Sequence, residues 1–211
     1  MSKTRIILIN IIGMVVVVGL IAAGAFIFYE NKNYVQTDDA VVSADIHQVI
    51  APASGILTNW DGKEGATVSS NEELGKISNG SQGMSIDSLV AGTIIKNEAK
   101  SNQMVQAGQV LAQTADMSNL YITANIDEND LKKIEVGDSV DITVDGDSGT
   151  VFNGKVQEIG YATNSLFSAL PSQNSSGTYT KVTQKVPVKI SIQSPSSKVL
   201  PGMNAEVKIS I

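Results

Sequence analysis

The sequence predicts a mainly β protein carried on a single N-terminal transmembrane helix. Three observations predict it: one long apolar run near the N-terminus, a β-patterned segment that repeats itself at a fixed offset, and a second block of short apolar runs downstream. The 211 residues are 42% hydrophobic and 17% charged, a balance that supports folded domains over disorder. Past the apolar run about 180 residues remain, enough for one domain or two small ones.

Ile6 to Phe28 form a 23-residue run interrupted only by Asn10. A helix of that length spans about 35 Å, sufficient for a bilayer core. A cleaved signal peptide is the rival reading, but its apolar core usually runs to only about 7–15 residues. Ala23 and Ala25 mimic a cleavage site, yet Phe26, Ile27 and Phe28 continue the run beyond them. We therefore expect residues 6–28 to lie in the lipid bilayer. Lys3 and Arg5 on the short flank place residues 1–5 in the cytoplasm and the rest outside. Gly19 and Ala23 make a small-xxx-small pair, which fits helix packing but is also ordinary composition for a membrane helix. Residues 29–40 read as a linker and entry to a barrel.

Beyond Arg5 the chain carries 13 basic and 21 acidic residues, a net charge of −8. That argues against nucleic acid, whose phosphates need a basic face, and leaves no polybasic patch for anionic lipid. Cysteine is absent, which excludes disulfides, thiolate metal sites, a cysteine nucleophile and lipid attachment to an N-terminal cysteine.

The repeat pairs Val49–Ile77 with Ile86–Thr114 without a gap, at an offset of 37. Gly55 matches Gly92, Leu57 matches Ile94, Val68 matches Val105 and Leu74 matches Leu111. The turns carry the best evidence: Gly65 falls on Asn102, and Asn71 on Gly108. Glycine tolerates positive φ most readily and asparagine next, so both halves appoint the same two positions to left-handed backbone. We expect two copies of one strand–turn–strand unit, packed face to face because neither buries its own apolar face alone. Two unrelated hairpins of a β-sandwich are the alternative. These residues resemble the lipoyl/biotinyl-like (barrel-sandwich hybrid) fold, which places that module at 41–115 with halves 49–77 and 86–114. Carrier versions of the fold present a modified lysine at the joint between halves. Here the joint is Ser78–Ser85 (SNGSQGMS), while Lys76 and Lys96 lie elsewhere, so a swinging-arm carrier is disfavoured.

Residues 116–211 read as a small β-barrel module, with strands at Leu120–Ile126, Ser139–Val144, Gly154–Ile159, Lys185–Ile192 and Ala205–Ile211. Asp127–Lys133 reads as a short helix capped by Asp127, with Glu128 and Asp130 at its N-terminal end and Lys132 and Lys133 at its C-terminal end. Val136-Gly137-Asp138 turns the chain back into a strand. Residues 162–180, rich in Ser, Asn and Gly, read as a loop, in which Leu166, Phe167 and Leu170 either pack back on the barrel or touch a partner.

Taken in order, these pieces resemble the membrane fusion protein (periplasmic adaptor) family, in its HlyD/EmrA-like branch. The resemblance rests on the anchor, on Thr37-Asp38-Asp39-Ala40, on the paired halves and on two later stretches. One runs from Asp127–Gly137 into VDITVDG and FNGKVQEIG. The other runs from Leu166–Pro171 through Asn174, Gly177 and KVTQKVPVKI to Leu200-Pro201-Gly202-Met203. The resemblance implies a non-catalytic, single-pass adaptor of an export or multidrug efflux system. Its partner would be a multi-pass membrane transporter, a major facilitator superfamily antiporter above all, with an ABC-type exporter as runner-up, and a homo-oligomer is implied. Gram-negative members insert a long α-helical hairpin between the lipoyl-like halves, and its tip reaches an outer-membrane channel. The short joint here implies a form without the hairpin, no outer-membrane channel, and a bacterium bounded by one membrane. An extracellular module that binds cell-wall polymer is the reading from a different class.

No residue is singled out as catalytic, cofactor-binding or metal-ligating, and no cofactor is expected. His47 is the only histidine and makes no metal site alone. Asp141, Thr143, Asp145 and Gly146 echo a calcium loop, but its twelfth position is Phe152 in place of the bidentate glutamate, and 145–149 reads better as a turn. Asp38 and Asp39 point to opposite faces of a strand, which disfavours a shared acid–base site. Phosphate-binding glycine loops and nucleophile elbows are missing. Asn79-Gly-Ser81 and Asn174-Ser-Ser176 fit a glycosylation triplet that is common by chance. Trp60 reads as a core-edge residue, with an exposed contact as the alternative.

Overall fold

The computed structural model describes residues 3–80, 83–167 and 183–211. The chain is mainly β behind one long helix. Its elements are α1 (Lys3–Asn33), β1 (Tyr34–Ser43), β2 (Ile46–Ile50), β3 (Gly55–Thr58), β4 (Thr67–Val68), β5 (Glu73–Ser78), β6 (Gly83–Asp87) and β7 (Gly92–Asn97). They continue with β8 (Met104–Val105), β9 (Val110–Ala115), β10 (Tyr121–Asp127), α2 (Glu128–Leu131), β11 (Ser139–Val144), β12 (Val151–Ile159), β13 (Lys185–Ile192) and β14 (Asn204–Ser210). Two units are distinct: Met1–Ala40 with Thr123–Ser194 and Asn204–Ile211, and Val41–Ile122 with Pro195–Met203.

In the first unit α1 is the one helix among the described residues long and apolar enough to cross a membrane. Its window Gly13–Glu30 has mean hydropathy 2.0 and is unburied throughout. The helix runs on to Asn33 and β1 begins at the next residue, so 34–40, read as barrel entry, are already strand. A closed six-stranded barrel follows, in the order β1-β10-β13-β12-β11-β14. Alternation fills it: Val186, Val188, Ile190 and Ile192 of β13 all point inward. Opposite them Ile142 of β11 pairs with Phe152 of β12 and Val207 of β14, and all three are buried.

The expected helix after β10 is shorter than read. It covers Glu128–Leu131, and Asp127 makes no side-chain capping bond. Asp127 has the extended backbone of a cap, but the Glu128 amide donates to the Gln184 carbonyl at 2.9 Å. A partner distant in sequence thus satisfies one of the helix's free N-terminal amides, whereas the next two, which a cap would serve, receive no bond from the Asp127 side chain. Asp145–Asp147 form a single 3-10 turn between β11 and β12. Of the expected loop, Asn164–Phe167 are a second 3-10 turn, in which Leu166 is exposed. Leu170, Pro171, Asn174 and Gly177 lie outside the described residues.

The second unit is two four-stranded sheets, β2-β9-β7-β4 and β6-β5-β3-β8. Adding 37 to the residue numbers carries β2 onto β6, β3 onto β7, β4 onto β8 and β5 onto β9, so each sheet maps onto the other. Four equivalent pairs make up most of the buried core: Val49 with Ile86, Leu57 with Ile94, Val68 with Val105, and Leu74 with Leu111. Positive φ falls on all four expected turn positions, +83° at Gly65, 67° at Asn102, 62° at Asn71 and +81° at Gly108. Their amides also bond equivalently: Gly65 to the Ile94 carbonyl at 2.8 Å and Asn102 to that of Leu57 at 2.7 Å. Likewise Asn71 donates to Ser88 at 2.6 Å and Gly108 to Ala51 at 2.8 Å. The matched Gly55 and Gly92 have a separate cause, close backbone approach. A Cβ at Gly55 would lie 2.5 Å from the Ser78 carbonyl oxygen, and one at Gly92 would lie 2.8 Å from that of Ala115.

Candidate functional site

His47, Lys76 and Lys96, singled out in the sequence, lie apart from one another on different strands. His47 is exposed on β2. Lys76 and Lys96 stand on β5 and β7 in surface ion pairs with Glu73 at 3.3 Å and Glu98 at 2.8 Å. Among the described residues no group of three or more His, Cys, Asp or Glu is placed to hold a metal. Trp60 packs at the edge of the second unit's core and donates from Nε1 to Asn97 Oδ1 at 3.0 Å. Trp60 and Asn97 are themselves repeat equivalents.

What the fold does provide is surface. In the second unit the joint between the halves is short: Ser78 of β5 still pairs with Gly83 of β6, leaving only 79–82 to connect them. Beside it lies a cleft of about 490 Å³ lined by Ser54, Gly55, Ile56, Ser78, Asn79, Gly80, Met104, Val105 and Gln106. Ile56 and Met104 are cross-strand partners, 45% and 76% exposed, so the cleft has an apolar floor open to solvent.

In the barrel unit a polar crevice of about 520 Å³ opens between β1, β10, α2 and the start of β13. Asp38, Asp127, Asp130 and Glu206 line it, with Lys185 as the only basic residue among the described ones. Of the adjacent acid pair of β1, Asp38 is exposed and lines the crevice, while Asp39 is half-buried against β10 and β13. There Asp39 Oδ2 accepts from Lys185 Nζ at 2.7 Å, and Oδ1 accepts from Asn125 Nδ2 at 2.8 Å. These bonds, Lys185 first, hold the Asp39 carboxyl below the ordinary carboxylate range. The same bond pushes the Lys185 amine up. A second crevice, of about 440 Å³, lies where α1 enters the barrel. Lys208 of β14 bonds Glu30 of the last helical turn at 2.7 Å and stands 4.2 Å from the centre of the Tyr34 ring. The Ile211 amide closes the joint on the Asn33 carbonyl at 2.9 Å.

Sequence reasoning noticed Asp38 and Asp39 but missed Asn125, Lys185, Glu30 and Lys208. Their partners lie 86, 146 and 178 positions away, so no local pattern announces them.

Comparison with known proteins fits this picture. A family described as a barrel-sandwich hybrid domain of YhbJ type matches residues 45–116, and a YknX-like β-barrel domain matches 120–209. A Bacillus subtilis protein named as an efflux system component, YhbJ, is 59% identical over 210 residues, covering 100% of this chain and 95% of its own. The colistin resistance protein EmrA of Acinetobacter baumannii is 31% identical over 96 residues, which are 44% of this chain but only 27% of that protein. Among solved structures, the membrane fusion protein Spr0693 from Streptococcus pneumoniae R6 superposes with a TM-score of 0.59 at 16% identity. That match covers 84% of this chain and 98% of the other.

Proposed function

Since the chain belongs to the membrane fusion protein family, as a non-enzymatic efflux-system adaptor of the EmrA/YhbJ type, we propose that it serves a major facilitator superfamily transporter from the outer face of a single membrane. In this reading α1 crosses the bilayer with residues 1–5 in the cytoplasm, and the β units stand outside. Copies of the chain assemble around the transporter's outer mouth and need no outer-membrane channel.

The observation that carries the reading is that only four positions, 79–82, separate β5 from β6. Two helices long enough to cross a periplasm cannot be housed there. The likeness to EmrA supports the choice of transporter class. The acidic crevice and the bonded root of α1 support a role on the surface next to the membrane, where a partner's exposed loops are within reach.

The test is photo-crosslinking in native membranes, with the crosslinking residue at Phe28 on the helix or at Asp141 on the barrel, and identification of the multi-pass partner. Recovery of a major facilitator protein, together with drug susceptibility on deletion, is the expected result. An ABC exporter as the partner replaces the transporter class and keeps the adaptor role. Recovery of no transporter, with unchanged susceptibility, overturns the proposal.

A further inference from the structure

Thr37-Asp38-Asp39-Ala40 helps to mark the family, but the adaptor reading gives Asp39 itself no role. The barrel gives one of its carboxylates work to do. Asp39 uses both oxygens, one for Lys185 and one for Asn125. Asn125 then turns its own Oδ1 to accept from Asn164 Nδ2 at 2.8 Å. Thr37 supports the arrangement: its Oγ1 donates to the Asn125 carbonyl at 3.3 Å and accepts from the Asp39 amide at 3.1 Å. Asn164 is the first residue of the 3-10 turn after β12, and Lys185 is the first residue of β13. Residues 165–184 separate them in sequence. The residue before that stretch and the one after it, its points of departure and return, are therefore bonded to a single side chain, directly at Lys185 and through Asn125 at Asn164.

We propose that Asp39 is the positioning residue of this barrel rim: it fixes where the chain leaves at Asn164 and returns at Lys185, and export by the assembled system depends on that fixing. The dependence on export rests on the function proposed above, whereas the fixing itself does not. Three features favour a device over an ordinary surface ion pair. Isolated exposed pairs contribute little because two long side chains must be held for one contact. Here the carboxylate is short, both of its oxygens are bonded, and Asn125 is shared between two bonds, so the contacts support one another. In addition, Lys185 also feels Asp127 and Asp38. Without Asp39 it has rival carboxylates to turn to, and the point of return moves with it. The return point is coupled further, because the Gln184 carbonyl holds the Glu128 amide at the start of α2.

The experiment uses the full-length protein in detergent. Hydrogen exchange by mass spectrometry is followed on peptides covering 128–131 and 164–167, with a barrel-core peptide covering 140–144 as internal reference. Asp39→Asn is expected to accelerate exchange about two- to fivefold at both rim peptides and leave the reference unchanged. The charge-reversed double variant Asp39→Lys/Lys185→Asp is expected to recover slow exchange at 128–131, a rescue that a purely space-filling role would not produce. Should Asp39→Asn fail to fold, Asn164→Ala, an exposed change, is expected to accelerate 164–167 alone. The same variants are introduced into cells lacking the chromosomal copy, and susceptibility to exported compounds is scored. Unchanged exchange in Asp39→Asn, or in Asn164→Ala where that variant replaces it, overturns the clamp. Altered exchange with wild-type export overturns its role in transport. If the wild-type chain itself fails to restore export, the adaptor–transporter reading falls, and the exchange data still decide the clamp.

Discussion

The equivalence of the two halves makes a quantitative prediction at the turns. At Gly65 the backbone has φ +83° and an added Cβ meets nothing within 4 Å, so substitution there is opposed by conformation alone. A β-branched residue is a poor occupant of that region, and the left-handed conformation costs an L-residue about 1–2 kcal/mol. Gly65→Val should therefore destabilise the second unit by at least that amount. For a domain of this size 1 kcal/mol corresponds to about 4–8 °C in Tm, so the melt should fall by about 5–15 °C. Its repeat equivalent already holds asparagine at φ 67°. The double exchange Gly65→Asn/Asn102→Gly should then melt within about 3 °C of wild type, since asparagine is the next best residue there and glycine is gained opposite. Trp60 makes the assay specific. It is the sole tryptophan and packs on this unit's core, so its fluorescence reports this unit within the full chain. Thermal unfolding in detergent, followed by that emission, decides the matter. If Gly65→Val melts like wild type, or the exchanged pair melts like Gly65→Val, the equivalence of the turns is not energetic and the reasoning fails.

Gly55→Ala and Gly92→Ala should each cost about 1–3 kcal/mol by forcing apart strands whose backbones already touch, read by the same fluorescence melt; wild-type stability in either would show that the close approach relaxes freely. Trp60→Phe removes the donor to Asn97, whose Oδ1 still accepts the Ala99 amide at 3.1 Å, so circular dichroism melts should show only about 0.5–1.5 kcal/mol of loss. Lys208→Met should loosen the joint between α1 and the barrel: spin labels at Lys32→Cys and Asn153→Cys, clean sites in a cysteine-free chain, should give a broader distance distribution than in the Lys208 background. An unchanged distribution would assign the rigidity of the joint to the backbone bond between Ile211 and Asn33. Asp39 has a lowered pKa in the fold, so its contribution is complete above the unfolded value of about 4 and is lost as the pH falls through the lower folded value. The exchange ratio between Asp39→Asn and wild type at 128–131 should accordingly hold steady from pH 7 to 5 and approach unity only below about pH 4; a ratio that collapses near pH 6 would point to another group.

The second unit was readable because its determinants are local. Each turn needs a residue that accepts positive φ, and each strand needs an inward apolar residue at alternate positions, so both requirements are written twice, 37 apart. The repeat read from sequence nonetheless began three residues late, at Val49 and Ile86 rather than at the strand starts Ile46 and Gly83. Those first residues are exposed: Ile46, His47 and Gln48 on one side, and Gly83, Met84 and Ser85 on the other. Pairing through the backbone imposes no side-chain identity on them, so the equivalence leaves no trace in the letters. Similarly, the joint looked eight residues long because Gly83 and Ser85 carry no strand signature, although both lie on β6 and pair with β5.

The barrel rim was legible only in part, for a different physical reason. Period-two geometry predicts opposite faces for Asp38 and Asp39, but it is silent about what waits on each face. Lys185 opens a strand read correctly from its alternation, and nothing in that alternation marks its amine for a carboxylate 146 positions earlier. Asp127 shows the converse failure. It has the right residue type at the right place for a cap, yet its side chain makes no cap bond, and the first helical amide, Glu128, is satisfied by the Gln184 carbonyl, 56 positions further along the chain. Local rules bind where the competing partner is also local. At the rim, where β1, β10 and β13 meet, side chains far apart in sequence become one another's partners. Two adjacent acids that looked idle in a strand are for that reason the place where this sequence most understated its structure.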